Sequence, residues 1–386
     1  MAGFEGISWA STQLRYDLTT EEVTVEGIDA KVYTVSRSIH YGLFLAFEGI
    51  RFRCRTDEQG RLRFTFLNLG RNVERFRRAM RFLLAEEAGD LVPEADAIKQ
   101  LFLRYLSLPQ NRDLFLEMAR TGRQGYLRPF TIDEERSIGV TFPQRPCIRM
   151  VAAAYDRYLG EPFSGVVVPD LVRAVGVNGT GCLKLGVNYL MSIKAVARAK
   201  QVHPSASSGL FLDDRPDLPI DERKITEWDS SCALLALRDG TFIKIPESPL
   251  ILPSVTIRGI TDILRMMGER VVERDITYGE LLERTRADEV VTVCSIGTAG
   301  ILNRCAQLHL FNGEEVEAIL RADTAHPSYA ALAAARKHYW DIYAGRAEPP
   351  LGHVVEEHEV LDVQCDGTNA RPAAADPGHP EEHSYR

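Results

Sequence analysis

The stretch GTGCLKLGVNY, residues 179–189, decides how this chain is read. It sets Lys184 between a glycine-rich loop and the run VNYLMSIKAVARAK (187–200), whose apolar spacing predicts a helix. A loop of that kind ahead of a helix suits a phosphate, because the first backbone N–H groups of a helix have no internal partner. Lys184 does not follow a glycine as a Walker lysine does, and no GxGxxG follows a strand, so neither common nucleotide motif applies. Cys182, Leu183 and Leu185 flank the lysine. Partial desolvation there would favour the neutral amine that Schiff-base chemistry needs.

Outward from this point the chain reads as alternating strands and helices. Upstream, GIDAKVYTV (27–35), GLFLAFEGIRFRCR (42–55) and RLRFTFLNL (61–69) predict strands, with turn residues from Asp57 to Gly60. NVERFRRAMRFLLAEE (72–87) predicts a helix capped by Asn72, with Val73, Phe76, Met80 and Leu83 on one face. Two further helices are expected over 96–106 and 112–120, then strands at GYLRPF (125–130) and RPCIRMVAAAYD (145–156). Downstream, CALLALRDGTFIKI (232–245) predicts a hairpin turned at Asp239-Gly240, and TIRGITDILRMMG (256–268) a helix ended by Gly268. EVVTVCSI (289–296) predicts a buried strand, and SYAALAAARKHYWDIYAG (328–345) closes the globular part. The expected division is a small N-terminal α/β domain over 1–155, a linker over 156–165 (DRYLGEPFSG), a large C-terminal α/β domain over 166–350 and a disordered tail over 351–386.

Composition narrows the class. The 386 residues carry 46 Lys and Arg against 54 Asp and Glu, a formal charge of −8, which argues against nucleic-acid binding. The sequence holds no apolar run of membrane-spanning length and no signal-peptide pattern at its start, so a cytoplasmic location is expected. Seven cysteines show no CxxC spacing and read as reduced thiols. The histidines form no ligand motif, so no metal is expected.

Four other segments carry candidate chemistry. KITEWDSS (224–231) holds Glu227. ILPSVTIRGI (251–260) puts Val255 and Thr256 at a helix start, and SIGTAG (295–300) is a small-residue turn after a strand; both are candidate anion sites. HYG (40–42), AFEGIR (46–51) and YLR (126–128) gather aromatic and basic groups in the first half. Each alone is compatible with ordinary strand or cap residues.

Together and in this order, HYGLFLAFEGIR, LGRNVERFRRAM, GYLRP, GTGCLKLGVNY, KITE, ILPSVT and SIGTAG resemble the branched-chain aminotransferases, class IV aminotransferases of the fold type IV pyridoxal-phosphate group. The resemblance runs from about Lys31 to Gly345 and implies two α/β domains and a homodimer. It implies pyridoxal 5'-phosphate carried by Lys184, with Tyr189 at the cofactor's phenolic oxygen and Glu227 at its ring nitrogen. Arg75, Val255, Thr256 and Thr298 would hold the phosphate. Tyr41, Thr298 and Ala299 would hold the substrate carboxylate, Phe47 would line the side-chain pocket, and Tyr126 and Arg128 would meet the distal carboxylate of glutamate. The implied reaction is ping-pong transfer of an amino group between an L-amino acid, branched-chain or similarly apolar, and a 2-oxo acid such as 2-oxoglutarate, with no nucleic-acid or membrane partner.

The chain also departs from the family pattern. Four residues, Leu43 to Ala46, separate HYG from Phe47, one more than usual. Trp228 to Ala233 replace a small, glycine-containing stretch, Ser254 replaces a glycine, and Asn303 and Arg304 fall where the family is apolar and proline-containing. These changes flank the pocket, so two alternatives stand: a transaminase retuned for a non-proteinogenic amino acid in a specialised pathway, or a lyase of the same fold.

Overall fold

Two sheets organise the chain in the computed structural model, which describes residues 4–32, 34–158, 161–174, 176 and 178–361. The first is antiparallel, in the order Val355–Glu359, Leu62–Leu67, Ile50–Thr56, Gln124–Asp133, Pro146–Tyr155, Thr12–Asp17, Val23–Gly27, with Ser8–Trp9 also on Pro146–Tyr155. The helices Leu69–Ala88, Ala95–Leu106 and Arg112–Thr121 cover it, and Phe52, Phe64, Phe76, Phe102 and Phe115 fill the layer between. The second sheet is mixed. Phe163–Val167 runs parallel to both Ser208–Leu212 and Ile301–Phe311, while Cys232–Leu237 lies antiparallel between Thr241–Lys244 and Val290–Gly297. Val255–Met266 and Pro327–Tyr343 pack on it over a core of Ile, Leu and Val. Such near-continuous apolar strands are what a sheet covered on both faces requires.

Several boundaries differ from expectation. Strands are expected from about Val23 onward, and the early strand is Val23–Gly27; GIDAKVYTV adds no further strand among its described residues, and a short helix, Arg37–Tyr41, follows. Between that helix and Ile50 the chain forms isolated bridges, Ala46 to Leu185 and Phe47 to Phe130, instead of a ladder. The helix expected from Asn72 starts at Leu69, capped by Asn68 in the left-handed region (φ 60°). Asn68 reaches that conformation because its main chain and side chain both pair with Val354, at 2.7 and 3.1 Å.

That contact also corrects the tail. Residues 355–359 form a strand on Leu62–Leu67 instead of a disordered segment, and His353 is buried between Asn68 Nδ2 (2.8 Å) and Asp262 Oδ2 (2.9 Å). The tail beyond residue 361 lies outside the described residues. The linker is narrower than 156–165, since Phe163–Val167 belongs to the second sheet and Arg157–Tyr158 pairs with Phe4–Glu5. Among the described residues no helix is long and apolar enough to cross a membrane, and no group of three or more His, Cys, Asp or Glu could hold a metal.

Candidate active site

The lysine segment is held by its own motif and by the first sheet. Asn188 ties the loop together: its amide nitrogen donates to the carbonyls of Thr180 (2.7 Å) and Leu183 (2.9 Å), and its oxygen accepts from the Thr180 hydroxyl (2.7 Å). Phe47 N–H donates to the Lys184 carbonyl (3.1 Å), and Gly186 N–H to that of Leu45 (2.8 Å), so the extra-long 43–46 loop is pinned against the lysine. At Gly181 an added Cβ would lie 2.5 Å from the Pro249 carbonyl oxygen, so this turn needs glycine.

Lys184 reaches a cavity of about 110 Å³. Its Nζ is 3.0 Å from the Tyr189 hydroxyl and 4.9 Å from the centre of the Phe47 ring. On the same ring the Arg128 guanidinium sits at 4.6 Å and donates to the Tyr126 hydroxyl at 2.7 Å. Phe47 therefore spaces two cations that share one cavity, an arrangement suited to a substrate with carboxylates. Burial pushes the Tyr189 phenol up, but the charges of Lys184 and Arg173 and the Lys184 hydrogen bond together outweigh it and hold the group below its ordinary value. Gly49 makes room for Tyr126, whose hydroxyl would meet a Cβ there at 2.0 Å.

Glu227 lies behind this wall, on the strand Ile225–Trp228, and is 2% exposed. Its Oε1 pairs with Arg173 at 2.9 Å and accepts from Leu252 N–H at 3.2 Å. Burial raises its pKa, and Arg173 opposes that. A buried carboxylate held by one arginine can still receive a proton-bearing ring nitrogen at its second oxygen. Trp228, its neighbour, points to the opposite face, as strand alternation requires. Its indole N–H donates to the Cys294 carbonyl (3.0 Å) inside the core, so it does not reshape the pocket as its bulk suggested; Ser230 and Ser231 line the cavity instead.

The candidate phosphate groups gather at the start of Val255–Met266. Ser254 caps this helix by accepting from Ile257 N–H at 3.3 Å, leaving the N–H groups of Val255 and Thr256 in the unpaired first turn. Arg75 reaches the same place and donates to the Pro253 carbonyl at 2.8 Å. Its Nε and Nη2 grip Glu48, at 2.7 and 2.5 Å. Each terminal nitrogen of the guanidinium keeps one further N–H, so Arg75 can still meet a phosphate, but as a group already paired. Complete burial would raise Glu48, yet the charge and hydrogen bonds of Arg75, joined by the Lys184 charge and the Gly49 N–H, hold it below its ordinary value.

Thr298 and Ala299 border the cavity, and their carbonyls are held by Arg51, whose Nε lies 2.9 Å from the oxygen of Thr298. Tyr41 is not brought in. It is half exposed, donates to the Ile138 carbonyl at 2.9 Å and is not among the groups lining the cavity. Reading the sequence missed Glu48 and Arg51, although both stand inside AFEGIR. It also missed Arg173, Phe4, Tyr158 and the serines, for which no local pattern gives a signal.

Set beside known proteins, this geometry has a place. The chain superposes on the branched-chain amino acid aminotransferase of Escherichia coli with a TM-score of 0.64, at 18% identity, covering 91% of this chain and 98% of that one. Its fold is that of the class IV aminotransferases. In sequence it is 28% identical over 268 residues to the mitochondrial branched-chain-amino-acid aminotransferase of Bos taurus, covering 68% of this chain and 63% of the bovine one, slightly less than two thirds. It is 26% identical over 290 residues to a probable branched-chain-amino-acid aminotransferase of Staphylococcus aureus, 74% of each chain. No family model matches. In sequence and in fold alike, the chain is similar to branched-chain-amino-acid aminotransferases.

Proposed function

We propose that the chain is a pyridoxal-phosphate-dependent aminotransferase that moves an amino group between an L-amino acid and a 2-oxo acid, with glutamate and 2-oxoglutarate as one pair. The observation that carries this reading is Lys184, hydrogen-bonded to Tyr189 at 3.0 Å and sharing the Phe47 ring with Arg128. The residues fit the cofactor: an amine at the cavity, a phenol beside it, a buried carboxylate behind and a helix start with free N–H groups. When bound, the cofactor supplies an electron sink for the substrate Cα–H bond.

The chain's own groups do the rest. Lys184 Nζ is placed to take a proton from the substrate and return it. Tyr189, its phenol below the ordinary pKa, shares a hydrogen bond with that amine and fixes its direction. Glu227 would keep a proton on the ring nitrogen, and Val255, Thr256 and Arg75 would hold the phosphate. Arg128, whose charge is secured by Tyr126 against burial, would bind the glutamate carboxylate in one half of a ping-pong cycle.

A homodimer belongs to this reading, as does a cytoplasmic setting. Ile39, Tyr41, Ile138, Val140 and Phe142 stand exposed around the short helix Arg37–Tyr41, and a second chain would cover them. A branched-chain donor is the first expectation, but the cavity wall favours the retuned transaminase, because among the described residues Ala299 is the one aliphatic side chain that lines it. Borohydride reduction of the purified protein followed by peptide mapping tests the central assignment: the cofactor should be found on Lys184, and attachment at Lys194 or Lys224 would overturn it.

A further inference from the structure

Asn303 lines the same cavity from the strand Ile301–Phe311. It is 2% exposed, and its side-chain oxygen has no hydrogen-bond partner. Its cross-strand partner is Ser295, so the two side chains share one face of the hairpin. Ser295 in turn shares a 2.6 Å hydrogen bond with the Ser231 hydroxyl, and both serines line the cavity. On the other side, Arg128 Nε is buried and also without a partner. The small cavity is thus lined by two residues, Asn303 and Arg128, that each carry a buried polar atom without a partner, together with hydroxyls and aromatic rings. A leucine-like side chain offers neither group a partner, and a buried polar atom left unpaired costs free energy.

We propose that Asn303, with Ser295 and Ser231 beside it, selects an amino donor whose neutral side chain both donates and accepts a hydrogen bond, a hydroxyl or a carboxamide, over a branched aliphatic donor. This deepens the aminotransferase reading and rests on it. The Asn303 amide can turn to offer either its oxygen or its nitrogen, so it serves hydroxyl and carboxamide alike. Sites built to hydrogen-bond a substrate reject the analogue that lacks the group far more strongly than apolar pockets reject a hydroxyl.

The test is single-turnover half-reaction spectroscopy on the holoenzyme with threonine, homoserine, asparagine, glutamine, leucine, isoleucine, valine and glutamate. The best hydroxyl or carboxamide donor should react at least about tenfold faster than the best aliphatic one, and Asn303→Leu should lower that ratio by roughly 10- to 100-fold. Asn303→Thr suits a strand and serves if Asn303→Leu does not fold; it must move the ratio in the same direction. Cofactor affinity is measured in parallel. If an aliphatic donor is fastest in the wild type, or if the variants weaken cofactor binding without changing the ratio, the assignment is overturned while glutamate conversion leaves the aminotransferase reading standing. No conversion by glutamate or any donor overturns both.

Discussion

Replacing Arg75 by methionine removes one half of the buried pair on which the candidate phosphate site rests. Glu48 is fully buried, and both of its oxygens are held by Arg75, at 2.7 and 2.5 Å, with one further bond from Gly49 N–H at 2.8 Å. Breaking such a pair from one side strands a charge in the interior and costs about 3–5 kcal/mol, well above the contribution of an exposed pair. The pH dependence has a definite sign. In the wild type Glu48 is held low, so its stabilisation is present above its unfolded pKa and lost as pH falls through the folded one. In Arg75→Met only the Lys184 charge and the Gly49 N–H still oppose burial, and burial, the largest influence, should raise the carboxyl, so the folded protein binds the proton more tightly than the unfolded chain. The deficit should therefore be largest near pH 7.5 and shrink towards pH 5. Urea unfolding at fixed cofactor concentration measures it, with Arg75→Met/Glu48→Leu recovering more than half of the loss. A deficit below about 1 kcal/mol at pH 7.5, or a double variant no better than the single, would refute this account of the pair.

Other outcomes follow from the same geometry. Lys184→Ala should bind cofactor without covalent attachment and lose turnover by several orders of magnitude, read from the visible spectrum and steady-state rates. Glu227→Gln should depress the transamination rate far more than cofactor affinity, and it should also lower stability because Arg173 is left without its charge partner; equal losses in rate and affinity would make Glu227 structural. Arg128→Met should slow the glutamate half-reaction by roughly 2–3 kcal/mol, since a charge-assisted bidentate contact is lost. Comparable slowing with every donor would assign Arg128 to holding Phe47 and Tyr126 instead.

The sequence by itself singled out the lysine segment and its resemblance to the branched-chain aminotransferases. Lys184, Asn188 and Tyr189 fall within six residues, and the loop that presents them is closed by Asn188's own hydrogen bonds, so spacing along the chain was enough. The helix start at Val255–Thr256 was legible because capping is local, whereas Glu227 was singled out by the family resemblance of KITE. Only the tertiary structure decided which charges meet. Glu48 on Arg75, Arg173 on Glu227, and the strand 355–359 closing the first sheet join residues 27 to about 300 positions apart. No periodicity records such pairings. The orientation of Trp228 and the polarity of the cavity were hidden likewise, because side chains from Phe4, Tyr126, Tyr158, Ser231, Ser295 and Asn303 become one wall only when the two sheets pack together. Packing two layers over a single cavity is a long-range event, and the pocket's chemistry is set there.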